Sequence, residues 1–180
     1  MGPVSRARGF TLIEMMIVVS LVGILAVMGT VGYRRWVRTA YVSEAQDMIA
    51  NIRAAEESFR AENGGYLTIS SQLGPGNDYP ASTPGRFKTA WGAASPWLTL
   101  NIQPSGPVTF GYSLQAGNDP AIAINPTPAP TVQGQAINLG AMTVPWYVVE
   151  ADGDTDGNGV FTKVYGMSGT NRIFIDNEGE

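Results

Sequence analysis

Glu14 carries the only formal charge from Phe10 to Tyr33, a stretch of 24 residues. An ionised side chain near the middle of a bilayer costs roughly 2.5 to 3.5 kcal/mol, so a carboxylate placed there needs a partner. Gly9-Phe10 could supply one. Cleavage after Gly9 would put an α-ammonium on Phe10, and residues i and i+4 share a helix face. The amine sits badly at the positive end of its own helix dipole and Glu14 sits well there, so they can attract within one chain or between staggered chains. Between chains the pair becomes an assembly device. The plainer readings of Glu14 are a polar member of an ordinary helix pair, or a side chain snorkelling to the interface.

The second constellation is Asp152, Asp154 and Asp156 at alternate positions, with Gly157 in sixth place and Asn158 after it. This matches the start of an EF-hand loop, where carboxylates converge on calcium and the glycine permits a sharp turn. Position twelve falls on Lys163 rather than a bidentate glutamate. An ion held by Asp152, Asp154, Asp156 and Asn158 would need another ligand, such as Asp119, Glu150 or Asp176. The competing reading is a solvated Asp/Gly turn between strands, which these residues favour without any ion. Both readings stand at this level. Calcium is the one cofactor the sequence raises, and nothing else in the chain requires one.

Enzymatic chemistry has little to draw on. There is no histidine or cysteine, and no P-loop, dinucleotide-binding or nucleophile-elbow pattern occurs. A formal net charge of -4, from 15 acidic and 11 basic residues, argues against nucleic acid as a partner.

The elements that must position Glu14 come from hydropathy. The 24 residues from Phe10 to Tyr33 reach about 36 Å as a helix, enough for a hydrocarbon core of about 30 Å. No small-x-small cleavage site ends the run, so a secretory signal fits poorly. Thr11, Ser20 and Thr30 are expected to satisfy backbone carbonyls. Beyond Tyr33 and Trp36, which with nearby arginines resemble an interfacial belt, Val37, Tyr41, Ala45, Met48, Ile49, Ile52, Ala55 and Phe59 recur at helical spacing. Asn63-Gly64-Gly65 supplies a stop. One helix over residues 10–63 is therefore expected.

Residues 64–107 read as a structured loop whose aromatics cover the helix or sheet. Residues 108–180 contain five β-like runs: 108–114, 121–124, 144–149, 160–165 and 172–176. Short connections favour an antiparallel sheet, whose apolar face needs the helix stripe. The fold class is α+β, with the long helix packed on a small sheet. The segments are a leader (1–9), an apolar helix (10–33), an amphipathic helix (34–63), a connecting loop (64–107) and the sheet region (108–180).

Gly9-Phe10-Thr11-Leu12-Ile13-Glu14 followed by an apolar helix resembles the class III signal of type IV prepilins and pseudopilins. The likeness is close over residues 6–35 and looser to about residue 63. It implies cleavage at Gly9-Phe10 by a prepilin peptidase, N-methylation of Phe10, and an assembly role for Glu14. Gly29-Thr30-Val31-Gly32 stands where many members carry a proline, and its glycines still permit local melting. The implied partners are the peptidase, other pilin subunits, an inner-membrane assembly platform and, before assembly, lipid. The implied location is the inner membrane with the C-terminal domain in the periplasm, then a surface or periplasmic filament. A type II secretion pseudopilin is the alternative within the family; a membrane-anchored periplasmic binding domain is the alternative outside it.

Overall fold

The computed structural model describes residues 9–92, 95–139 and 143–178. Of the expected leader, only Gly9 lies among the described residues. The helix expected over residues 10–63 is α1 (Leu12–Asn63), 52 residues without interruption. It remains helical through Gly29-Thr30-Val31-Gly32. It ends where Gly64 takes a φ of 79° and donates its N–H to the Arg60 carbonyl at 2.8 Å, a left-handed stop that glycine adopts without strain.

The chain divides into two compact units, with the boundary between Val37 and Arg38. The first unit contains the apolar stretch Leu12–Thr30, 19 residues with mean hydropathy 2.5 and no part buried. Ser20 and Thr30 donate their hydroxyls to the carbonyls of Met16 and Ala26 at 2.8 and 2.9 Å, as expected of isolated polar groups in such a helix.

The second unit adds the short helix α2 (Ser95–Thr99) and the strands β1 (Gly111–Gly117), β2 (Thr131–Val132), β3 (Gln135–Ala136), β4 (Trp146–Gly153), β5 (Thr162–Met167) and β6 (Phe174–Asp176). β1-β4-β5-β6 form an antiparallel sheet in that order, and β2-β3 a separate hairpin. Alternation along β4 divides the core. Tyr147, Val149 and Ala151 join Ala45, Ile49 and Ile52 of α1, while Trp146 and Val148 join Leu73, Tyr165 and Met167 in a second cluster. Successive strand residues point to opposite faces, so the helix stripe covers one face and the loop carrying Leu73 helps cover the other. α1 packs closely on the sheet at Gly166, where a Cβ would come within 2.5 Å of Ile49 Cγ2.

One expected strand is absent. Residues 121–124 form no strand, and Ile122 is exposed. The outer edge of β1 is already taken: Ile69 and Ser70 donate N–H groups to the Leu114 carbonyl at 3.1 and 2.9 Å, and Tyr79 exchanges backbone bonds with Tyr112. A run with β propensity but no open edge has nothing to pair with. The loop aromatics behave as expected over most of residues 64–107. Tyr66 and Trp97 are buried, and Tyr79 and Trp91 pack against them and their neighbours. Phe87 is the departure, at 82 % exposed.

Candidate functional site

At the start of α1, Gly9 and Phe10 are exposed and precede the helix. Thr11 is its N-cap and Glu14 the third helical residue. Glu14 Oε2 accepts the Thr11 backbone N–H at 2.8 Å and the Thr11 hydroxyl at 2.7 Å, and the Glu14 N–H donates to Thr11 Oγ1 at 3.3 Å. These reciprocal bonds form a capping box, which satisfies N–H groups that the first helical turn leaves unpaired. Thr11 therefore does not serve a backbone carbonyl, as its position in an apolar helix suggested. It orients the carboxylate. The signal was present in the sequence as a Thr-x-x-Glu spacing.

The Asp/Gly loop is held differently. Asp154 Oδ1 accepts the N–H groups of Gly157 and Asn158 at 2.7 and 3.1 Å, and its Oδ2 accepts that of Gly159 at 3.0 Å. Asp156 accepts Asn158 N–H at 3.1 Å and Arg38 at 3.3 Å, and Asn158 Oδ1 accepts Val160 N–H at 2.6 Å. Asp152 is fully buried on β4, beside Lys163 Nζ at 3.1 Å; the same ammonium reaches Glu150 Oε1 at 2.6 Å. Lys163 thus brings a positive charge where a calcium loop would have its last carboxylate. Among the described residues no group of three or more His, Cys, Asp or Glu side chains is arranged to hold a metal ion. Asp154, Asp156 and Asn158 share one turn, bonded largely to its own backbone.

Lys163 belongs to a buried cluster that sequence spacing did not reveal. Burial pushes Asp78 up to about 7, with the Glu150 charge adding to the shift. Burial, Glu150 and Asp78 together hold Asp152 well above the usual carboxylate range. Burial alone would lower Lys163, but Asp152 and Glu150 outweigh it and raise it. Elsewhere, Glu56 of α1 is fully buried and accepts the Leu67 N–H at 3.0 Å, and desolvation pushes it up to about 7. These groups tie loops to the helix and sheet.

The site with an unmet demand is therefore the N-terminal one: an exposed apolar surface carrying a single carboxylate, oriented by its neighbour. Residues 4–30 match the prokaryotic N-terminal methylation motif. The chain is 32 % identical over 100 residues to prepilin peptidase-dependent protein D of Escherichia coli K12, covering 56 % of this chain and 66 % of that protein. The chain belongs to the type IV pilin and pseudopilin family. The type IV major pilin protein PilA of Myxococcus xanthus is 36 % identical over 69 residues, which cover 38 % of the pilin-like chain and 31 % of PilA. The fimbrial protein EcpB of Eikenella corrodens is 27 % identical over 138 residues, covering 74 % and 79 % of the two chains. The alignments thus span just under two thirds of the first relative's length and about a third of PilA's. No solved structure matches the pilin-like chain.

Proposed function

We propose that the chain is a structural subunit of a type IV pilus-like filament. Cleavage between Gly9 and Phe10 by a prepilin peptidase, followed by N-methylation of Phe10, leaves the apolar part of α1 on the mature protein. Before assembly this segment lies in the inner membrane with the globular unit on the periplasmic side. An assembly platform then transfers it from lipid into a bundle of like helices.

The observation that carries this reading is the apolar, wholly exposed stretch Leu12–Thr30 whose lone carboxylate is held by Thr11. Such a surface needs lipid or copies of itself. The capping box keeps Glu14 at the helix start, next to the amine that cleavage would create. An incoming subunit's Glu14 and a neighbour's Phe10 amine could then neutralise each other away from water. The matched relatives named as a major pilin and as fimbrial proteins favour a pilus over a secretion pseudopilus.

Mass spectrometry of the sheared cell-surface fraction beside the membrane fraction tests the reading. N-methyl-Phe10 as the first residue of sheared chains is the expected result. Processed chain retained in the membrane would shift the assignment to a pseudopilin, and unprocessed chain confined there would leave an anchored binding domain.

A further inference from the structure

Phe87, the most exposed large apolar side chain among the described residues, is more exposed than any in the Leu12–Thr30 stretch. It does not dangle from a loose loop. Its neighbour Lys88 is bound to Glu44 of α1 at 2.6 Å and lies 5.9 Å from the Tyr41 ring centroid, and Thr89 exchanges backbone bonds with Val108. Arg86, on the other side of Phe87, has no hydrogen bond or ion pair among the described residues. The result is a knob with one cation and one aromatic ring, standing on an anchored base.

The globular unit also has a receptor of complementary character. Between the outward flank of α1 and residues 99–104 runs a groove of about 560 Å³. Its walls are largely polar; Phe59 and the mostly buried Met48, Leu100 and Ile102 form an apolar floor, and Glu62 stands among its lining residues near the end of α1. Glu62 has no ion pair among the described residues. The α1 C-terminus beside it also favours a cation. Phe87, being exposed, does not fill this groove in its own chain.

We propose that the Arg86-Phe87 knob of one copy docks into the groove between α1 and residues 99–104 of the next copy. Phe87 then packs against Phe59, Leu100 and Ile102, and Arg86 faces Glu62. The proposal rests on the filament reading and adds to it a contact between globular units. Charge complementarity selects a second copy as the occupant and sets the register. The knob sits level with Glu44 and the groove runs from Met48 to Glu62 with its midpoint near Ala55, eleven residues further on, so a shift of about 16 Å along α1 at about 1.5 Å per residue brings knob and groove together. Knob and groove are different surfaces, so the contact is heterologous, and repeated without closure it gives an open helical filament.

The chain contains no cysteine, which makes the contact directly testable in the full protein in cells. A Phe87→Cys, Ser58→Cys double variant, sheared from the surface and mildly oxidised, is expected to run as a ladder of disulfide-linked multimers, whereas neither single variant forms one. Surface filaments containing the double variant without a ladder would overturn the docking and leave the filament reading intact. Absence of the wild-type chain from the sheared fraction would remove both. Charge reversal gives a second measurement should the cysteine pair impair assembly. Arg86→Glu and Glu62→Arg are each expected to lower sheared filament yield at least threefold, and together to restore it. A double variant as poor as the product of the singles would overturn the pairing.

Discussion

The two units handle a carboxylate in opposite ways. In the first, Glu14 lies on an exposed apolar helix and, among the described residues, is held only by Thr11, one turn away in its own chain. In the second, Glu150 is buried between Lys163 and Tyr165, and Glu56 is buried against the Leu67 N–H. The globular unit meets these two carboxylates from within, whereas the N-terminal unit leaves its apolar surface for another molecule to cover.

The hardest test of that contrast is Glu14→Ala. It should leave membrane insertion and the melting of the globular unit unchanged, while incorporation into sheared filaments falls roughly tenfold or more, the factor set by about 1.4 kcal/mol. Wild-type incorporation would sink the intersubunit charge argument.

Gly166→Val addresses the other unit. A side chain there meets Ile49 and Arg53 of α1, and overpacking of this kind costs about 1 to 3 kcal/mol. A lower melting temperature is expected for the full chain in detergent. Unchanged melting would show that α1 yields more easily than its packing suggests.

A pH series sharpens the description of the buried carboxylates. The folded-state value of Glu56 is raised to about 7 from 4.5. Its contribution is therefore fully present below about 4.5, declines as pH rises toward 7, and stays lost above that. Glu56→Gln keeps an acceptor for Leu67 and removes the titration. It should raise stability at pH 8 by on the order of 2 kcal/mol and change little at pH 4. An equal effect at both pH values would assign the gain to packing.

Thr11→Val should cost about 1 kcal/mol of helix start and give assembly between wild type and Glu14→Ala, with Thr11→Ser restoring it. No change in assembly would reduce the capping box to a local cap. Smallest of all is the expected response to calcium. Binding at Asp154, Asp156 and Asn158 would have to displace the loop's own N–H groups and the Arg38 pair. Millimolar calcium should leave the melting temperature unchanged. A clear rise would instead establish an ion site in this loop.

Much of the architecture was legible from local pattern. The helix stripe through Ala45, Ile49 and Ile52 repeats at 3.6 residues and states which side must be covered, while β4 and β5, buried on both faces, stand out as β-branched and aromatic runs. Residues 121–124 have strand composition but no strand, because pairing needs an open edge and residues 69–79 occupy that of β1. Glu14 was conspicuous as a charge in an apolar run. The Thr11 partnership was written in spacing, yet hydroxyls in apolar helices usually serve carbonyls, and only the fold of the first turn chose between the two.

By itself the sequence determined an apolar helix, its single carboxylate, the small residue before it and the amphipathic continuation, all features local along the chain. Tertiary structure decided the rest. It carried Lys163 to Asp152 and Glu150, turned Phe87 outward beside an anchored lysine, and opened a groove between α1 and residues 99–104. Those outcomes depend on which distant segments share space, and a charge or a ring in a loop does not specify its neighbour until the chain has closed around it.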